Sequence, residues 1–366
     1  MKKTLISLAV AAALVPAAAM AETSNVTVYG KVNVSYDRLD NDAETGGFVS
    51  SNHTRLGFKG SEDLGDGLKA VFQYETAVDL DSTTTFGAAR DSFAGVSGNF
   101  GTVTLGRQAW NNLFKGDADF FIDGIGGPSV WIDLRGAARA NNTIKYASPD
   151  MSGFNASLTY VTPGGFTGNG TANTVAAPGV GNGTLESAQM NPGNTTESSY
   201  ALRAAYNNGP LFAALTYLDQ AANSATLPDM KTTSLAASYA FGPGKVAAQW
   251  VKVKDANNNT GDDDVRGWTI GGNYKVTANG TVKVNYTDIN KGGTTTTTSN
   301  QGADMIAIGY DHALSKRTSV YATYARANND SAGTYTVTGA THGAATGAIA
   351  AGKDASGISL GMVHDF

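Results

Sequence analysis

The 366-residue chain contains no cysteine. That excludes a disulfide framework, a thiolate zinc site and a thiol nucleophile. Proline is scarce, at nine residues, and histidine scarcer, at four. His53, His312, His342 and His364 lie far apart and show no ligand spacing. Neither a metal nor a cofactor is therefore expected. No Gly-x-Ser-x-Gly elbow and no phosphate-binding glycine motif occur, so an enzyme has no support. Asp255 to Arg266 begins like a calcium loop, but its glycine falls one place late at Gly261 and its last position is Arg266 instead of Glu. Positive charge is not in surplus either. The net charge of −5 speaks against a nucleic-acid binder. Beyond the first two dozen residues no apolar run approaches the length of a membrane-spanning helix.

One short apolar run is present, from Leu5 to Pro16, preceded by Lys2 and Lys3 and followed by Ala19-Met20-Ala21. A positive start, an apolar stretch of about a dozen residues and a small-x-small site read as a cleaved secretory signal peptide. Residues 1–21 are expected to leave, and 22–366 to form one domain. The run is too short to span a bilayer comfortably.

The helical period is hard to find after residue 21, whereas a period of two recurs throughout. Val26, Val28, Val32, Val34 and Tyr36 share one face, and Thr27, Tyr29, Lys31, Asn33, Ser35 and Asp37 the other. Phe154, Ala156, Leu158 and Tyr160 alternate with Asn155, Ser157 and Thr159, and Val282, Val284 and Tyr286 with Lys283, Asn285 and Thr287. One face suits lipid and the other suits water. Sixteen such segments are expected: 25–37, 51–62, 67–79, 89–97, 101–107, 141–148, 153–163, 199–207, 211–219, 231–241, 244–255, 264–276, 279–290, 302–312, 317–328 and 355–366.

Short connections rich in Gly, Asn, Asp and Pro alternate with long ones near 38–50, 80–88, 108–138, 164–198, 220–230, 256–263, 291–301 and 329–354. An even strand count with short turns on one side and long loops on the other describes a transmembrane β-barrel. An open sheet edge in lipid would leave backbone groups unpaired at several kcal/mol each, so the first and last strands must pair. A soluble β-sandwich or propeller shares the alternation. However, the aromatics sit near strand ends on the apolar face, where a membrane-interface girdle belongs, and no blade-length repeat is visible.

Several stretches carry a family likeness: Val26-Thr27-Val28-Tyr29-Gly30, the long run from Thr54 to Ala70, Leu105-Gly106-Arg107, the run from Asn141 to Pro149, and His364-Asp365-Phe366. Together they resemble the general diffusion porins of Gram-negative bacteria, in the form typical of beta-proteobacteria. The resemblance implies an all-β, 16-stranded antiparallel barrel in the cell outer membrane. It also implies a homotrimer and a third long loop folded inward to narrow a water-filled channel for ions and small hydrophilic solutes. Phe366 is similar to the terminal residue read by the barrel-assembly machinery. Lipopolysaccharide and outer-membrane lipid are the implied surroundings. A substrate-specific channel on the same scaffold is the alternative, and an adhesin using the loop at 164–198 a more distant one.

By this likeness the loop from Gln108 to Ala138 is the narrowing loop. It carries Lys115, Asp117, Asp119, Asp123, Asp133 and Arg135. Parity places Lys31, Arg55 and Lys59 on the inner wall, with Arg139 and Lys145. Arg38, just past the first strand, is expected to lean over the mouth. Arg90 faces the lumen if Phe93 faces lipid. Arg107 shares the parity of Leu105 and needs a bulge to turn inward. Arginines opposing carboxylates across a gap would set a transverse field, which low-dielectric walls focus. Counting charges leaves anion against cation preference open.

Overall fold

A computed structural model describes residues 25–42, 44–82, 86–110, 118–132, 139–163, 198–221, 229–254, 264–291, 300–338 and 349–366. The strands are β1 (Asn25–Asp40), β2 (Thr45–Ser51), β3 (Arg55–Gly65), β4 (Leu68–Val78), β5 (Phe86–Gly98), β6 (Gly101–Ala109), β7 (Arg139–Ala147), β8 (Phe154–Val161), β9 (Ser199–Asn208) and β10 (Leu211–Gln220). They continue with β11 (Met230–Phe241), β12 (Gly244–Lys254), β13 (Val265–Lys275), β14 (Gly280–Lys291), β15 (Ala303–Ala313), β16 (Thr318–Asn329) and β17 (Ala355–Asp365). One short helix, α1 (Ser129–Ile132), lies between β6 and β7.

β2 and β3 both pair antiparallel with β1, each strand from β3 on pairs antiparallel with the next, and β1 pairs with β17, which closes the sheet. β2 and β3 lie end to end along the same edge of β1. They form one stave, so the closed barrel has sixteen. The break at Asn52-His53-Thr54 is patched by side chains and backbone. Thr54 Oγ1 takes the Asn33 amide and donates to the Asn33 carbonyl, both at 3.1 Å, and the Asn52 amide donates to the same carbonyl at 2.8 Å. His53 there adopts φ +54°, a left-handed conformation unusual for a side-chain-bearing residue. The expected long connection at 38–50 is corrected: β1 runs to Asp40 and β2 starts at Thr45.

Alternation positions everything else. Val26, Leu105, Ile270 and Leu360 stand more than half exposed on the outer face. Facing the lumen, Asn33, Thr143, Thr269, Asn285 and Ser359 are buried and polar. Such an inversion of the soluble pattern is the signature of lipid outside and water inside.

Closure is completed where the chain turns back on its first strand. Gly30 and Phe366 exchange two backbone hydrogen bonds of 3.1 Å. A Cβ at Gly30 would fall 2.3 Å from the Phe366 ring and 2.7 Å from the Arg55 carbonyl. Gly30→Val is therefore expected to cost about 1–3 kcal/mol through overpacking. Gel mobility of unheated samples checks it, as a smaller folded fraction than wild type.

Candidate functional site

The inner wall at the long-loop end is not uniformly polar. Val251, Val253, Met305, Ala307, Ala325 and Ala327 are buried there, on strands whose opposite parity faces outward. Part of the loop between β6 and β7 covers this apolar wall. Phe121, Ile125 and Trp131 join the same cluster, with Ile125 fully buried. Gly126 is the closest point: at φ +80° its missing Cβ would fall 2.5 Å from Ala307 and 2.8 Å from Ala325. Only glycine fits both that conformation and that approach. Backbone and side-chain bonds fasten the segment. The Gly126 amide donates to the Val337 carbonyl at 2.9 Å, and the Trp131 indole N–H to the Thr336 carbonyl at 2.8 Å.

Asp119 works inside this segment. Its carboxylate accepts the Phe121 amide at 2.9 Å and the Ser129 hydroxyl at 2.7 Å, tying both ends of the turn. Burial raises its pKa, against the lowering pull of those hydrogen bonds.

Asp123 ties the loop to the opposite edge of the seam. It is almost fully buried and receives Lys31 Nζ at 2.8 Å and His53 Nδ1 at 2.6 Å, with Arg55 Nη1 at 3.8 Å. Asn33 donates to its carbonyl at 3.3 Å. Burial pushes the carboxyl pKa up, but attraction and hydrogen bonding from His53, then the charges of Lys31 and Arg55, hold it well below the ordinary carboxylate range. Its φ of +67° suits Asp or Asn better than other side chains.

The structure brings Lys31, Arg55 and Asp123 together and separates the other candidates. Arg90 is buried against Glu75, Nε to Oε1 2.5 Å, and Glu75 also takes the Tyr29 hydroxyl at 2.9 Å. Arg139 Nε reaches Asp91 at 2.7 Å, and Asp91 shares the lumen-side space with Lys59, Gln108 and Lys145. The condition set for Arg90 does not hold, since Phe93 faces the lumen opposite Gln73. A register shift between Tyr74 and Thr76 inserts a residue into β5, so Arg90 reaches the inward Glu75 all the same. Arg107 stays on the parity of Leu105, opposite Ser92, and donates to the Ala89 carbonyl at 2.6 Å and Asn141 Oδ1 at 2.9 Å. Arg38 needs correction too. β1 extends past it, so it lies within the strand on the outer face with Tyr36, opposite Gly47 and Ile358. Asp117, with Lys115, Asp133 and Arg135, lies outside the described residues.

Sequence reasoning missed five participants. His53 sits at the β2–β3 break, where no periodicity guides it. Glu75 and Asp91 neutralise candidate arginines. Lys283 lies over the Phe121 ring at 4.8 Å and pairs with Asp311 at 3.0 Å, and Lys245 lies over the Phe120 ring at 5.5 Å. Parity alone could have found the two lysines.

The closed sixteen-stave barrel with an apolar outer face matches known proteins along its whole length. A family model described as Gram-negative porin matches residues 7–333. Outer membrane porin protein 32 of Delftia acidovorans is 34% identical over all of both chains. This chain is a Gram-negative porin. Major outer membrane protein P.IB of Neisseria meningitidis serogroup B is 26% identical across 87% of this chain and 91% of its own length. Among solved structures, an anion-selective porin from Comamonas acidovorans superposes with a TM-score of 0.76 at 30% identity, covering 94% of this chain and all of that one. The trimer form of OmpT from Vibrio cholerae shares the fold, with a TM-score of 0.67 at 17% identity over 94% and 100%.

Porins are passive channels, so this protein is an outer-membrane channel and not an enzyme. Among the described residues no group of three or more His, Cys, Asp or Glu is placed to hold a metal. The porin's loop segment offers a modest test of its fastening. Trp131→Phe keeps the ring stacking with Tyr335, 5.0 Å between centroids, but orphans the buried Thr336 carbonyl. A loss of about 1–2 kcal/mol in local stability is expected, read as faster amide exchange at residues 334–338.

Proposed function

We propose that this porin conducts small anions in preference to cations through a passage narrowed by the loop segment at 118–132. One observation carries the reading: among the described residues one loop carboxylate, Asp123, faces three basic side chains, Lys31, His53 and Arg55. The loop therefore leaves net positive charge on that wall. Lys245 adds a base beside Phe120, whereas Lys283 beside Phe121 is paired with Asp311. The likeness to a porin described as anion-selective supports the same sign. Charge at the narrowest point, focused by low-dielectric walls, decides which ion enters.

The protein is further proposed to lose residues 1–21 on export, which lie outside the described residues. It assembles as a homotrimer, is recognised by the barrel-assembly machinery through Phe366, and sits among lipopolysaccharide and outer-membrane lipid. Single-channel recording in a planar bilayer under a potassium chloride gradient tests the reading. Conductance steps grouped in threes with a reversal potential of the chloride-selective sign are expected. A cation-selective sign overturns the preference, and an absence of steps from folded protein overturns the open channel.

A further inference from the structure

The outer face of β9–β13 departs from the rest of the apolar band. Register aligns Ala213 with Ala237 and Ala237 with Ala248, one row across three strands. Tyr206 and Ile270 close the two ends of that row. On the long-loop side the next row is Leu215, Leu235, Trp250 and Trp268, all projecting outward. Small floor and large border leave an apolar groove of about 680 Å³ on the membrane-facing surface.

Directly above the indoles the chemistry changes sign. One row further toward the long loops, Lys252 aligns with Arg266, and one row beyond that Lys231 aligns with Lys254. Four cations thus share one outer face within two rows. Among the described residues their carboxylate partners are Asp264, 2.9 Å from Lys252, and Asp219, 3.7 Å from Lys231. Asp288 stands beside Trp268. Asp229, which acts on Tyr217 together with Lys231, also borders these rows, so the patch is a cluster of bases interleaved with acids, and it faces outward, away from the lumen and the ions passing through it.

Indoles sit at the headgroup level of a bilayer, with acyl chains on one side and polar groups on the other. Basic side chains just beyond that level attract anionic headgroups. We infer that this face holds one phosphate-bearing lipid, its acyl chain along the alanine row and its phosphate among Lys231, Lys252, Lys254 and Arg266. The inference refines the lipid partner proposed above. The order of the rows favours a lipid over a second copy of this chain, because the bases lie beyond the indoles, on the side of the groove where headgroups lie.

Native mass spectrometry of the folded full-length protein tests this, with diphosphorylated lipid A, phosphatidylglycerol and phosphatidylcholine as probes. Lipid A is expected to stay bound where phosphatidylcholine is lost. The combined variant Lys231→Gln, Lys252→Gln, Lys254→Gln, Arg266→Gln should reduce lipid A retention at least tenfold. Ala237→Trp, which fills the groove without touching the charges, should do the same. Conductance should match wild type in both variants, since neither alters the lumen. Equal retention in the variants, or of phosphatidylcholine, overturns the site. So does an oligomer that falls apart in Ala237→Trp while lipid remains, which would make the face a contact between copies. Wild-type protein that binds lipid but shows no conductance sinks the channel reading alone.

Discussion

Replacing both Lys31 and Arg55 with glutamine is expected to cut the chloride-to-potassium permeability ratio about tenfold or more at low salt. At roughly 8 Å in water each unit charge acts on an ion by about 0.5 kcal/mol. Two lost cations remove about 1 kcal/mol of attraction for the anion and an equal repulsion of the cation. The ratio thus moves by about 2 kcal/mol before screening. Screening supplies the control. The Debye length falls from about 10 Å at 0.1 M salt to about 3 Å at 1 M, so the effect should largely vanish at high salt. Reversal potentials at both salt levels read it directly. An unchanged ratio from an open double-variant channel would move the selectivity to Lys245 and Lys283, which touch the loop from the other wall. Glutamine at both positions leaves His53 Nδ1 at 2.6 Å from Asp123, and protease resistance at Phe120–Phe121 checks that the loop is still seated.

The staves were legible because a lipid-facing barrel obeys one simple rule along its length. All sixteen expected segments match a stave, since each outward position must be apolar and each inward one can be polar. The rule fails where the strand itself is irregular. Nothing in Asn52-His53-Thr54 signals a break, because the Thr54 hydroxyl substitutes for a missing ladder bond only once the strands are paired. The bulge that turns Arg90 toward Glu75 is likewise a property of two strands in register and of neither alone.

The site was legible in part for a related reason. Parity says which wall a side chain faces, and it placed Lys31 and Arg55 correctly. It does not say whether a neighbour neutralises the charge. Arg90 and Arg139 are inward-reaching bases spent on Glu75 and Asp91, and those carboxylates come from neighbouring strands that a local pattern cannot pair. Arg38 was misplaced because an extended strand continued where a loop was expected. Asp119 and Asp123 look alike in sequence, yet one folds the loop on itself and the other anchors it to the wall.

Asp123→Asn is expected to loosen that anchor while making the channel more anion-selective. Asparagine keeps the shape and tolerates the left-handed backbone at φ +67°, so the change isolates the charge. Removing one partner of a buried ion pair costs about 3–5 kcal/mol. Here three basic groups would be left beside a neutral amide. The loop segment should become open to protease at Phe120–Phe121, and single-channel traces should grow noisier. Meanwhile the loss of this anchoring carboxylate shifts the reversal potential further toward chloride. Acid should imitate the first effect. The folded-state pKa of Asp123 is depressed, so its contribution is complete above the unfolded carboxylate value, about 3.9, and is lost as pH falls below it toward the folded value. Wild-type loop protection should therefore hold at neutral pH and decline below about pH 4, whereas Asp123→Asn should show no such step. Wild-type protection that instead fell as pH rose toward neutrality would mean that the pair stabilises the loop in the opposite sense, and the anchor would have to be reassigned to Asp119 and the Trp131 hydrogen bond.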